Sequence, residues 1–293
     1  MDIVITYVNF IDPLWQKDYA ETVGGTMLKR RFRDWGFLPY LLRGIEAHLP
    51  FVRKVYLVVA RESQVPAWIN RDNVKVVLHK DIIPEEYLPT FNSCTIELFL
   101  HRIPGLDEQF VYFNDDILPL RDCTPDTFFP GGRAAIGMRP MLFTFGHPFR
   151  AHIRNSNRLA RKAAGTGCLI FNRRPQHSCQ SLLRSCCEQL YSACEPEIRS
   201  SISRVRESRN LNIYLYLCYI HFLHKSVNRR FSSKFLHLSS TGSKAMRRVI
   251  TAPGRDFVCI NDINLNERKF LLYSRTIREA LDSVLGAKSK YEL

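Results

Sequence analysis

Four short runs of β-branched and apolar residues recur through the N-terminal part of the chain, at Asp2–Val8, Lys54–Ala60, Val74–Leu78 and Gln109–Phe113, with stretches of helical periodicity between them. Parallel strands need a crossover between them, and a helix is the usual one. The pattern therefore predicts an α/β fold with a mainly parallel sheet and helices on both faces. One helix is expected over Pro39–Ala47, where Leu41, Leu42 and Ile45 share a face. Another is expected over Asn92–Arg102, with Ile96, Leu100 and Ile103 on one side, ended by Pro104-Gly105. Asn9 and Asp12-Pro13 read as a loop after the first strand. Asn114-Asp115-Asp116 falls at the C-terminal end of the fourth strand, the edge where open α/β sheets bind ligands.

The second half has a different character. Residues 131–250 hold 21 basic and 4 acidic side chains, against 21 basic and 24 acidic elsewhere. Helices are expected at Asn155–Ala164, Ser178–Ser192 and Leu211–His224, and late strands at Phe235–Leu238 and Phe257–Ile260. A closing helix begins at Glu267 or Ser274 and ends at Leu285. The expected layout is one domain over 1–285, with a core (1–130), a basic helical part over its ligand edge (131–250) and a closing segment (251–285), followed by a polar tail (286–293). A field of that sign can hold nucleic acid, anionic lipid or a phosphorylated small substrate. Charge alone does not choose among them.

Hydrophobic residues make up 45% and charged residues 24% of the sequence, so disorder over most of the length is excluded. Apolar stretches such as Val55–Ala60 and Leu211–Leu223 are interrupted or too short to span a bilayer. Met1-Asp2-Ile3-Val4 carries no basic leader, so the expectation is a cytoplasmic protein. Nine cysteines, an odd number without C-x-x-C spacing, argue against a disulfide framework and a zinc site. They are expected to be reduced and mostly buried.

Several residues carry candidate chemistry. Asp115 and Asp116, mounted on a strand end, suit a divalent ion bridging a diphosphate, or removal of a proton from a hydroxyl. The alternative is a solvated turn. Glu97 is placed one turn into the helix that Asn92 or Ser93 would cap, where an ordinary surface glutamate is the bland reading. His177 precedes the helix expected from Ser178, and a helix N-terminus disfavours imidazolium. Arg204-Val205-Arg206 offers guanidinium forks for phosphate oxygens.

Together these segments resemble the Stealth family of hexose-1-phosphate transferases, which includes capsular polysaccharide phosphotransferases and the lysosomal-enzyme N-acetylglucosamine-1-phosphotransferase. A first block is Asp2-Ile-Val-Ile-Thr-Tyr-Val-Asn9 with Asp12-Pro13-Leu14-Trp15. The second and most specific runs from Arg31-Phe-Arg-Asp34 through Tyr40-Leu-Leu-Arg43 and Leu88-Pro-Thr-Phe-Asn-Ser93 to Tyr112-Phe-Asn-Asp-Asp116. A third is similar to His177 with Leu182-Leu183 and Arg206-Glu-Ser-Arg-Asn210, and a fourth to Phe257-Val-Cys-Ile-Asn-Asp262.

The resemblance implies a nucleotide-sugar-transferase-like core. It also implies transfer of a sugar 1-phosphate from a UDP-sugar, such as UDP-N-acetylglucosamine, to a hydroxyl of a glycan or polysaccharide acceptor, with release of UMP. It implies catalytic roles for Asp116, His177, Glu97 and Arg206, and substrate contacts for Asp12, Arg33, Asp34, Asn92, Asn114, Asp115 and Arg154. The cofactor would be Mg2+ or Mn2+, with Asp115 as a ligand. A basic enzyme of surface polysaccharide synthesis is expected to make peripheral contact with anionic lipid at the inner face of the plasma membrane. Two rival readings are a metal-dependent glycosyltransferase, which would release UDP, and a nucleic-acid-binding protein. The second gives no task to Asn114-Asp115-Asp116, and the basic region lacks a recognisable nucleic-acid motif.

Overall fold

The computed structural model describes residues 1–24, 34–142, 149–167, 171–202, 211–260 and 265–293. In chain order the first elements are β1 (Asp2–Thr6), α1 (Pro13–Val23), α2 (Leu38–His48), β2 (Lys54–Val59), β3 (Val74–Leu78), α3 (His79–Ile82) and α4 (Ser93–Glu97). Next come β4 (Gln109–Asn114), β5 (Ile117–Pro119), α5 (Pro125–Phe128), β6 (Ala134–Ala135), β7 (Met138–Met141), α6 (Arg150–Ala163), β8 (Asn172–Pro175) and β9 (Gln180–Leu183). The chain closes with α7 (Arg184–Ser201), α8 (Ile213–Phe222), β10 (Ser226–Val227), β11 (Ser233–Leu236), α9 (Ser243–Thr251), β12 (Phe257–Ile260) and α10 (Glu267–Leu285).

The central sheet has the order β3-β2-β1-β4-β9. The first four strands are parallel, as the sequence pattern predicts, and β9 adds antiparallel to β4 through Gln109↔Leu183 and Tyr112↔Gln180. The inner strands β1, β2 and β4 are covered on both faces, so their middles are apolar rather than alternating, with Ile3, Val4, Ile5, Phe110, Val111 and Phe113 fully buried, whereas the edge strand β3 leaves Lys75 exposed. The chain steps from β1 outward to β2 and β3, then crosses back to place β4 on the other side of β1. That reversal puts the switch point between β1 and β4, with Thr6 paired to Asn114 at its C-terminal rim.

A second sheet, β11-β12-β5, abuts this rim. β12 runs antiparallel to β5 and pairs Cys259 with Ile117, and the Ile260 amide donates to the Asp116 carbonyl at 2.9 Å. The tight β4–β5 turn that carries Asp115 and Asp116 is thereby held from both sides. α2 packs on β5 through Gly44, where a Cβ would stand 2.6 Å from the Pro119 carbonyl oxygen.

Three expectations are corrected. The helix read over Asn92–Arg102 is α4 followed by a separate 3-10 turn at Leu100–Arg102. Leu98, Phe99, Leu100 and His101 are four successive buried side chains, and the backbone leaves helical geometry at Phe99, where φ is −113° and ψ 2°. The helix read from Ser178 begins only at Arg184, because Gln180–Leu183 is spent as β9, satisfying the free backbone edge of β4. His177 therefore precedes a strand, and the helix-dipole argument for it falls away. The loop read at Asp12-Pro13 opens α1, with Asp12 as N-cap and Pro13 in the first turn.

Residues 286–293, polar in composition, are fastened to the core. Arg43 grips Glu292 with two hydrogen bonds of 2.9 and 2.8 Å, Asn70 donates to the Tyr291 carbonyl at 2.8 Å, and Tyr291 is buried. Eight of the nine cysteines, all but Cys168, fall among the described residues, and these eight are buried.

Candidate active site

Three segments meet at the switch point. The end of β1 presents Thr6 and Tyr7, the end of β4 presents Asn114, Asp115 and Asp116, and Asp34 comes from the segment leading into α2. The Tyr7 hydroxyl donates to Asp34 Oδ2 at 3.0 Å, and Asp34 Oδ1 accepts from the Gly36 amide at 2.6 Å. Asp34 is thus oriented toward the strand ends. Burial holds the Tyr7 phenol protonated well above its ordinary range, and the Asp34 charge pushes in the same direction.

Burial pushes the Asp115 carboxyl up to about 8, and the neighbouring Asp116 and Asp34 carboxylates push it the same way. Three carboxyl groups, those of Asp34, Asp115 and Asp116, therefore converge at one rim. Such a set of hard oxygen donors fits a divalent cation such as Mg2+, which would relieve their mutual repulsion.

Behind the rim lies a polar network on the inward face of β4. Tyr112 and Asn114 point the same way because side chains two apart share a strand face. The Tyr112 hydroxyl lies 2.5 Å from Asn114 Oδ1, 3.0 Å from Thr6 Oγ1 and 3.3 Å from Glu97 Oε1. Glu97 is buried, and its other oxygen accepts from the Ile213 amide at 3.2 Å, at the N-terminus of α8. A helix N-terminus is a favourable place for a buried carboxylate. Glu97 thus sits beneath the site, joined to Asn114 by Tyr112, rather than on a solvated helix face.

Asp116 has two further neighbours. The Cys259 thiol of β12 hydrogen-bonds to it, and burial together with the Asp116 charge raises that thiol well above its usual range. His177, exposed on the loop between β8 and β9, completes the group, its ring tilted on Phe235 at 5.7 Å. One ligating atom from each of Asp116, His177 and Cys259 lies within 4.8 Å of the others.

The remaining sequence candidates fall in different places. Asp12 caps α1 through Leu14 at 3.0 Å and accepts from Ser63 Oγ at 2.7 Å, so both its oxygens serve the local fold. Asn92 caps α4 in the same way, accepting from the Cys94 amide at 3.0 Å while buried. Arg154 stands exposed on α6. Arg33 and Arg206 lie outside the described residues. Sequence reasoning singled out none of Tyr7, Thr6, Tyr112 and Cys259. Strand period two gives the signal for Tyr112, but Cys259 joins the site only through the β12–β5 pairing, which no local pattern announces.

Residues 31–135 match the family model described as Stealth protein CR2, conserved region 2. The chain is 31% identical to an exopolysaccharide phosphotransferase of Streptomyces coelicolor, in an alignment covering 100% of this chain and 51% of that protein. It is also 31% identical to a capsular polysaccharide phosphotransferase of Haemophilus influenzae, covering 92% of this chain and 80% of the other. The chain thus spans about half the length of the Streptomyces relative. Among solved structures, the galactosyltransferase LgtC in complex with donor and acceptor sugar analogs superposes with a TM-score of 0.51 at 13% identity, covering 97% of this chain and 96% of the other. That likeness concerns the fold.

Proposed function

Because the chain belongs to the Stealth family, we propose that it is a phosphotransferase of surface polysaccharide synthesis that moves a sugar 1-phosphate from a UDP-sugar, such as UDP-N-acetylglucosamine, to a hydroxyl of a glycan acceptor. The observation that carries this reading is the convergence of Asp116 and His177 at the C-terminal rim of β4, beside the carboxylates of Asp115 and Asp34. That proximity supports a proton acceptor working beside a rim suited to a diphosphate's counter-ion.

In the reaction the acceptor oxygen bonds to the β-phosphorus, and the bond from that phosphorus to the oxygen bridging it to the α-phosphate breaks. UMP departs with the bridging oxygen, and the hydroxyl proton passes to His177. Asp116, close to the imidazole, stabilises the imidazolium that forms. Mg2+ or Mn2+ held by Asp115 and Asp34 would neutralise diphosphate charge. Asn114, fixed by Tyr112 above Glu97, is positioned to orient the donor. Arg206 is assigned to a phosphate oxygen by its match to the family pattern alone. Most of the catalysis then comes from positioning and electrostatic stabilisation, as phosphoryl transfer requires.

The basic excess of residues 131–250 supports attraction of an anionic donor, a phosphate-linked polymer and anionic lipid. The test is incubation of the protein and Mg2+ with a panel of UDP-sugars and an acceptor glycan, followed by mass analysis of the nucleotide. UMP in step with phosphodiester formation is the expected result. UDP alone would assign the chain to glycosyl transfer.

A further inference from the structure

Beside the oxygen-rich rim lies a group of quite different donors. Asp116 supplies a carboxylate oxygen, His177 an imidazole nitrogen and Cys259 a sulfur, with these atoms within 4.8 Å of one another. They come from the β4–β5 turn, the β8–β9 loop and β12, so no ligand spacing in the sequence betrays them. We propose that Asp116, His177 and Cys259 form a thiophilic cation site that takes Zn2+, chemically distinct from the carboxylate rim of Asp34 and Asp115.

The donor set decides the ion. Mg2+ and Mn2+ favour oxygen, whereas a mixed sulfur, nitrogen and oxygen set suits Zn2+, which accepts three protein ligands and leaves a fourth position for water. Ligands bonded tetrahedrally to Zn2+ stand roughly 3.5 Å apart. The observed separation needs a contraction of about 1 Å, within the reach of an exposed loop histidine. Asp116 and Cys259 need not travel, because the Ile260 amide already bonds the Asp116 carbonyl at 2.9 Å and β12 is locked to β5. As the Sγ–Zn bond forms, the S–H bond breaks and its proton goes to solvent.

Occupancy has a consequence that rests on the proposed function. An ion held by Asp116 and His177 removes both from proton transfer, so Zn2+ inhibits the enzyme even where Mg2+ supports it.

Co2+ gives an optical probe of the site that needs no turnover. Added to the chelator-treated full chain, it is expected to produce a thiolate-to-cobalt charge-transfer absorption in the near ultraviolet, which one equivalent of Zn2+ displaces. Cys259→Ser should lose that absorption and weaken Zn2+ binding by more than about tenfold, the low end of what even outer-shell partners cost a metal site. Cys123→Ser, which alters a buried thiol elsewhere, should keep it. Circular dichroism of Cys259→Ser guards against a folding defect, and His177→Gln should weaken the Co2+ signal independently. Absence of the band in the wild type, or its persistence in Cys259→Ser, overturns the site. A titratable band in a protein that transfers no sugar phosphate would sustain the site while refuting the proposed function. Transfer with no band would do the reverse.

Discussion

Replacing Asp116 by Asn keeps the side chain's size at the end of β4 and removes the charge beside His177. Because the role proposed for this group is chemistry rather than packing, Asp116→Asn should fold normally and lose roughly 100-fold or more in kcat. Retention of more than a tenth of the activity would take Asp116 out of the mechanism. Asp115 makes a different, thermodynamic prediction. An unperturbed aspartate releases its proton near pH 3.8, whereas in the folded protein Asp115 holds its proton to about 8. Between those values the native state binds a proton that the unfolded chain has lost, so this group's contribution to stability declines as pH rises through the window and is level above it. Asp115→Asn cannot ionise. In EDTA it should raise Tm at pH 8 and leave Tm near pH 4 unchanged, and an unchanged Tm at pH 8 would show that burial and the neighbouring carboxylates do not hold Asp115 protonated as described.

Among the elements, β1, β2 and β4 were legible in the sequence because parallel strands buried on both faces are apolar in short, β-branched runs, and the edge strand β3, with Lys75 exposed, was legible from its valines. β9 was hidden. Gln180-Ser181-Leu182-Leu183 is half polar and runs straight into α7, so its strand character comes from the open edge of β4 rather than from its own residues. The same dependence on distant partners explains the site. Asp115 and Asp116 were visible from their place at a strand end, while the burial of Glu97 follows from the unwinding at Phe99 and the approach of α8, which lie beyond local periodicity. α1 was missed although Asp12-Pro13 is a sound helix start, since Trp15-Gln16-Lys17-Asp18-Tyr19 shows no clear apolar stripe. The contact of α2 with β5 gives a test at this scale. Gly44→Ala drives a methyl to 2.6 Å from the Pro119 carbonyl oxygen, so it should cost about 1–3 kcal/mol and lower Tm by several degrees. Unaltered melting would mean that α2 does not seat on β5 in this way.

On the scale of the whole molecule, charge is unevenly distributed and no helix among the described residues is long and apolar enough to cross a membrane. The membrane contact proposed for the basic part would be electrostatic, and it would weaken as salt shortens the Debye length below about 10 Å. Cosedimentation with vesicles containing phosphatidylglycerol should therefore fall as NaCl rises, and binding indifferent to salt would argue for another kind of contact. The proposed reaction is defined by the bond that breaks. If the acceptor attacks phosphorus, the bond from the sugar's C1 to its oxygen survives and the anomeric configuration is kept. A UDP-sugar carrying 18-oxygen in the bridge between C1 and the β-phosphorus tests this directly: the account predicts the label in the transferred sugar phosphate, and label recovered in released UDP would contradict it.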